Sequence, residues 1–182
     1  MKKNKMHNKK ALLLEYSSYL FILLFFLVIA PKFLVEKVIV DGTSMENTLF
    51  HEEQLLIEKI SRYFGELERF DIIVFTKKDG NVEKTYVKRV IGLPGETVQI
   101  IGNQIYIDET VLSESYGKNA MNTEGIAREK VTLGEEEYFV LGDNRAVSLD
   151  SRQATIGAVK KEEIDGVVVF RVAPLASFGK VE

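Results

Sequence analysis

Residues 85–108 read TYVKRVIGLPGETVQIIGNQIYID. Three runs in this stretch are rich in β-branched and aromatic residues: Thr85 to Ile91, Thr97 to Ile101 and Gln104 to Asp108. Such runs, bounded by turn residues, read as strands. Gly102-Asn103 is a two-residue link between the last two runs, the spacing of a hairpin. Outward from here the pattern repeats at Val38-Ile39-Val40, Gln54 to Glu58, Asp71 to Phe75, Glu137 to Leu141 and Val167 to Val172. Lys77-Lys78-Asp79-Gly80-Asn81 reads as a surface turn, and residues 109–136 as a polar loop or small excursion. The tail from Ala173 has little pattern, though Pro174-Leu175 and Phe178 are expected to pack. The expected fold class is mainly β, an antiparallel sheet folded as a sandwich or a partly open barrel.

Composition narrows the chemistry. The 182 residues suit one domain with an appendage. Lys plus Arg number 24 and Asp plus Glu 27, so a general nucleic-acid binder is a poor fit and no nucleic-acid partner is expected. Without cysteine there is no disulfide scaffold, thiolate zinc site or cysteine nucleophile. With only His7 and His51, a multi-histidine metal centre is hard to build, so no metal or cofactor is expected.

Charge and hydropathy segregate at the start of the chain. Residues 1–10 hold five lysines and no acid; residues 11–30 hold no Lys or Arg and one acid, Glu15. A bilayer core of about 30 Å needs about 20 helical residues, which 11–30 supply before Pro31-Lys32. Tyr16 and Tyr19 suit an interfacial belt. The expected layout is a basic cytoplasmic tail at 1–10, one transmembrane helix at 11–30 and an exported β-rich body at 31–182. A cleavable signal peptide shares the basic start, but Val28-Ile29-Ala30 before Pro31 is a weak A-x-A site. A buried core helix is the other reading of the apolar run.

Nucleophiles can be taken by elimination. No G-x-S-x-G elbow, phosphate-binding loop or H-E-x-x-H occurs. His51 sits beside Glu52 and Glu53 and reads as an exposed turn residue. A serine can instead be activated by a neutral lysine. In a strand over 85–91, Tyr86, Lys88 and Val90 share one face. Turned inward, that face would desolvate Lys88. Turned outward, Lys88 is a solvated or edge-protecting lysine. The spacing leaves both readings open.

Four motifs bear on the choice. Asp41-Gly42-Thr43-Ser44-Met45-Glu46-Asn47-Thr48-Leu49 resembles the serine motif of type I signal peptidases. Tyr86-Val87-Lys88-Arg89-Val90-Ile91-Gly92-Leu93-Pro94-Gly95-Glu96 resembles their lysine motif. Gly142-Asp143-Asn144-Arg145 with Ser148-Leu149-Asp150-Ser151-Arg152 resembles their C-terminal motif, and Arg69 to Phe75 their intervening strand. The resemblance covers about residues 10–172 and looks Gram-positive in its short length and single span. It implies a membrane-bound serine endopeptidase on the outer face of the cytoplasmic membrane. Its partners would be secretory precursors, whose signal peptides it removes, and the lipid bilayer. Ser44 would be the nucleophile and Lys88 the general base. Ser148 would hydrogen-bond and orient the lysine amine. Asp150 with Arg152, and Asp143 with Arg145, would support the site. The Ser44 backbone N–H would serve the oxyanion. By motif position Val40, Met45, Leu49, Tyr86 and Val87 would line pockets for small residues, or else simply pack the core.

Departures from the family pattern are Asn47 where proline is usual, Gly42 where some members carry an oxyanion-binding serine, and Ala146-Val147 at positions polar in some members. A soluble self-cleaving repressor-type protease is the rival within the same chemistry; a catalytically silent tethered scaffold is the rival outside it.

Overall fold

The computed structural model describes residues 2–29, 34–79 and 82–181. The chain divides at Glu36/Lys37 into two compact units. The first contains helix α1, Lys2–Leu24, continued by a π-helical segment, Phe25–Ile29. The apolar side chains from Leu20 to Leu27 are all exposed. Because the apolar run at 11–30 is shared between the two segments, no helix among the described residues is long and apolar enough to cross a membrane. Ala30 and the expected Pro31-Lys32 boundary lie outside the described residues.

Twelve strands follow among the described residues: β1 Val35–Ile39, β2 Gln54–Glu58, β3 Ile72–Asp79, β4 Val82–Gly92, β5 Thr97–Ile101, β6 Gln104–Ile107, β7 Thr110–Val111, β8 Val131–Thr132, β9 Glu137–Leu141, β10 Val159–Lys160, β11 Ile164–Ala173 and β12 Gly179–Lys180. One sheet runs β1-β2-β11-β3-β4-β9-β10, with β12 also on β11. A smaller sheet runs β7-β6-β5-β8. The registered pairs are antiparallel, and β5–β6 is the expected hairpin through Gly102-Asn103.

Burial alternates along β2 and β5, as a strand with one wet face requires. It does not alternate at the end of β4, where Lys88 to Gly92 are all buried. There the strand lies between two apolar clusters. Val90 packs with Ile73, Phe75, Tyr138 and Val140, while Ile91 packs with Val98, Ile100, Phe139 and Leu141. Gly92 permits the smaller sheet to approach: a Cβ there would sit 2.6 Å from Val98 Cγ2. A third cluster joins Val40, Met45 and Leu49 to Leu55, Ile57, Ile72 and Val74.

Some expectations change. Lys77, Lys78 and Asp79 are not a turn but continue β3 and pair with Lys84, Glu83 and Val82; Gly80-Asn81 of the expected turn lie outside the described residues. Cross-strand partners, a Lys78–Glu83 ion pair among them, make a polar run a strand. The region 109–136 is an excursion holding two short strands and a 3₁₀ turn, Gly125–Arg128. In the tail, Phe178 packs edge-on against Phe170 at 4.9 Å. Leu175 is exposed and does not pack.

Candidate active site

Ser44 lies in the loop between β1 and β2. The loop is closed at its base by Val40 N–H donating to Glu53 O and Glu52 N–H to Val40 O, each at 2.9 Å. Val40, Met45 and Leu49 are almost fully buried in the third cluster and pin the loop down from inside. The serine is thereby held facing β4.

Lys88 is 3% exposed. Its face of β4 turns inward, which resolves the two readings left open by the spacing. Lys88 Nζ stands 2.7 Å from Ser44 Oγ and donates to Val87 O at 2.8 Å. It lies 5.9 Å from the centre of the Tyr86 ring. Burial disfavours the ammonium and lowers the lysine pKa from 10.5 to about 8; the nearby carboxylates of Asp150 and Asp143 act against that shift. A substantial neutral fraction therefore exists near neutrality, with its lone pair in reach of the Ser44 hydroxyl proton.

The loop 142–152 clasps this pair. Asn144 N–H donates to Ser44 O at 3.0 Å, and Asn144 Nδ2 to Thr43 O at 3.2 Å. Asp143 receives Arg89 through two bonds, Nε at 2.9 Å and Nη2 at 2.7 Å, and also receives the Thr48 hydroxyl. Both members of the Arg89–Asp143 pair are buried. Arg89 also donates to Phe70 O, and the Tyr116 ring covers its guanidinium at 3.6 Å. Asp150 receives Arg152 at 2.8 and 2.9 Å and Gly142 N–H at 3.1 Å. Arg145 pairs with Glu114 and donates to Gly142 O.

Ser148 departs from expectation. Its Oγ is buried and has no hydrogen-bond partner among the described residues, so the expected bond to Lys88 is not formed. The amine's partners are Ser44 Oγ and Val87 O. Ser148 Oγ packs against Gly142 instead, where an added Cβ would meet it at 2.2 Å. The five expected pocket residues are also split. Val40, Met45 and Leu49 are core, and Val87 packs against the same cluster. Tyr86 stacks on Phe75 at 5.5 Å in a different cluster.

Several supporting residues escaped the reading of the sequence. Arg89 and Thr48 bind Asp143, which is far away along the chain. From the excursion, Glu114, Tyr116 and Lys118 reach the site. Lys118 bridges Asn144 through its backbone and Glu46 through its ammonium at 3.4 Å. His51 is exposed as expected, but its Nδ1 accepts Gly42 N–H at 3.2 Å. Among the described residues no cluster of acidic or histidine side chains could hold a metal.

The profile of the signal peptidase family, peptidase S26, matches residues 13–173. The chain belongs to the peptidase S26 family. It is 36% identical to signal peptidase I of Bacillus licheniformis and 33% identical to signal peptidase I P of Bacillus subtilis subsp. natto, in both cases over the whole of each chain. It also matches a crystal structure of a signal peptidase I from Enterococcus faecalis at 36% identity and a TM-score of 0.44, covering 56% of this chain and 96% of that one. This S26 member is a serine endopeptidase of the signal peptidase I type. The motif residues that carry the resemblance are the ones gathered around Ser44 and Lys88.

Proposed function

We propose that the protein removes signal peptides from secretory precursors through a Ser44/Lys88 dyad and an acyl-enzyme, working at the outer face of the cytoplasmic membrane. The observation that carries this reading is the 2.7 Å approach of Lys88 Nζ to Ser44 Oγ in a buried setting. Neutral Lys88 takes the hydroxyl proton as Ser44 Oγ attacks the scissile carbonyl. The lysine then hands that proton to the departing amine. Water, deprotonated by the same lysine, hydrolyses the ester and releases the signal peptide. The Ser44 N–H makes no hydrogen bond within the described residues, so it is available to the oxyanion. Such a donor is typically worth about 3–4 kcal/mol in the transition state.

An extended substrate has a strand to join. β4 pairs with β3 from Val82 to Arg89 but with β9 only from Arg89 onward. The other edge of β4 is thus open up to Lys88, and a precursor segment added there would bring its scissile bond to the dyad. Residues 1–10 would form the cytoplasmic tail, 11–30 the single span and 31–182 the exported peptidase body. The basic start and the exposed apolar side chains from Leu20 to Leu27 support this tether. Ser44 follows the apolar run by 14 residues, which would keep the site near the lipid surface where signal peptides arrive.

The test is cleavage of a secretory precursor by the detergent-solubilised full chain. Ser44→Ala and Lys88→Ala should each lower turnover at least about 10³-fold with circular dichroism unchanged. Lys88→Arg should be equally inactive, because a guanidinium does not deprotonate. Turnover retained in Ser44→Ala would overturn the nucleophile; turnover retained in Lys88→Ala would overturn the base.

A further inference from the structure

The Ser44 N–H belongs to the peptide that joins Thr43 to Ser44. That peptide is trans and planar, so its N–H points away from Thr43 O, and whatever holds the carbonyl aims the donor. Two groups hold it. Glu46 N–H donates to Thr43 O at 3.2 Å from within the same loop and moves with it. Asn144 Nδ2 donates to Thr43 O at 3.2 Å from the facing loop, and Asn144 N–H donates to Ser44 O at 3.0 Å. Asn144 therefore ties the donor peptide to the rest of the body.

The Asn144 amide must face one way to do this. Turned over, it would set Oδ1 against Thr43 O, two acceptors with no proton between them. Asn119, in the excursion, opposes that turn: its Nδ2 donates to Asn144 Oδ1 at 3.3 Å and leaves Asn144 Nδ2 for Thr43 O. The neighbouring Lys118 holds Asn119 in place. Lys118 N–H donates to Asp143 O at 2.7 Å, and Lys118 O accepts Arg145 N–H at 3.1 Å. An oxyanion donor is effective when it is aimed before the reaction begins. We propose that Asn119 is a positioning residue for the oxyanion donor, fixing the face of the Asn144 amide that holds Thr43 O and so aiming the Ser44 N–H. The inference rests on the reading of Ser44 as nucleophile.

The polarity of this chain of hydrogen bonds supplies the test. Asn119→Asp keeps the shape but offers only an acceptor, which draws Asn144 Nδ2 away from Thr43 O. Asn119→Gly removes the donor without opposing the amide, and glycine accepts the φ of +63° at this position. Asn119 is exposed, so both variants should melt close to the wild type. With the full chain in detergent and a precursor peptide, kcat is read on the alkaline plateau, where an added carboxylate cannot act through protonation of Lys88. Asn119→Asp should lower kcat about 10-fold with KM within about twofold, and Asn119→Gly at most about threefold. A peptide aldehyde reports on the donor itself. Ser44 Oγ adds to the aldehyde carbon, the hydroxyl proton passes to Lys88, and the former carbonyl oxygen takes the place of the oxyanion. Its inhibition constant should rise about 10-fold in Asn119→Asp, in step with kcat. Wild-type kcat in Asn119→Asp, an effect confined to KM, an unchanged aldehyde affinity, or an Asn119→Gly slower than Asn119→Asp would each overturn the proposal. If Ser44→Ala is dead while Asn119→Asp is unaffected, only the role of Asn119 falls. If Ser44→Ala still cleaves, the underlying reading fails first.

Discussion

As the proposed general base, Lys88 would have to be neutral to act and buried to be neutral. Both requirements follow from its place on β4, between Tyr86 and Val90 on an inward face and opposite Ile73 on β3. Its pKa of about 8 sets the expected pH profile. Below that value kcat/KM should fall about tenfold per pH unit as the ammonium accumulates, and above it should level off. Stability should move with the same group. The folded-state pKa lies below the unfolded value, so between about 8 and 10.5 the unfolded chain binds more protons and stability rises with pH. Below about 8 the cost of burying the charge is fully present, at about 3 kcal/mol from roughly 1.4 kcal/mol per pH unit. Lys88→Met removes that group. Its stability advantage over the wild type should therefore shrink by about 3 kcal/mol between pH 7 and pH 11, while activity is absent throughout. Denaturant melts of both proteins across that range measure the difference. A gap that does not change with pH would mean that Lys88 is not desolvated.

At the scale of elements, the site is two loops locked together beside one strand. The strands Gln54–Glu58 and Thr97–Ile101, whose burial alternates, and Glu137–Leu141, which is buried from Tyr138 onward, have the boundaries expected from their residues. Local pattern fails where partners are remote. A run such as Lys77-Lys78-Asp79 is extended because β4 lies beside it, and no neighbour in sequence says so. The same holds for the site. Ser44 and Lys88 were legible through motifs, but the buried Arg89–Asp143 pair joins residues far apart along the chain. Tyr116 and Lys118 come from an excursion whose polar sequence gives no sign of its contacts. Gly142 tests the lock between the loops. A Cβ at this position would stand 2.2 Å from Ser148 Oγ and 2.5 Å from Ser44 O, so one loop must move. Gly142→Ala should cost about 1–3 kcal/mol in a denaturant melt. It should lower turnover by more than lost folding explains, on the order of 10²-fold, because the Ser44 backbone carries the displacement. Normal kcat with reduced stability would show that Ser148 alone absorbs the clash.

At the scale of the whole molecule, the question is what the N-terminal unit adds to a body that carries both members of the proposed dyad. The three apolar clusters draw their residues from Val38 onward, so none depends on α1. Removing residues 2–29 should therefore leave the body folded. It should cleave a short soluble peptide at a rate within about threefold of the full chain in detergent, because the proposed chemistry at Ser44 and Lys88 uses no group of α1. A precursor embedded in vesicles is a different substrate. Tethering both partners to one surface raises their effective concentration without adding a contact, so the shortened chain should lose at least about tenfold on vesicles. The argument turns on the ratio of the two rates and not on either alone. If the shortened chain loses equally on both substrates, α1 acts on the fold. If it loses on neither, the apolar run is not the tether, and the exposed side chains from Leu20 to Leu27 need another occupant.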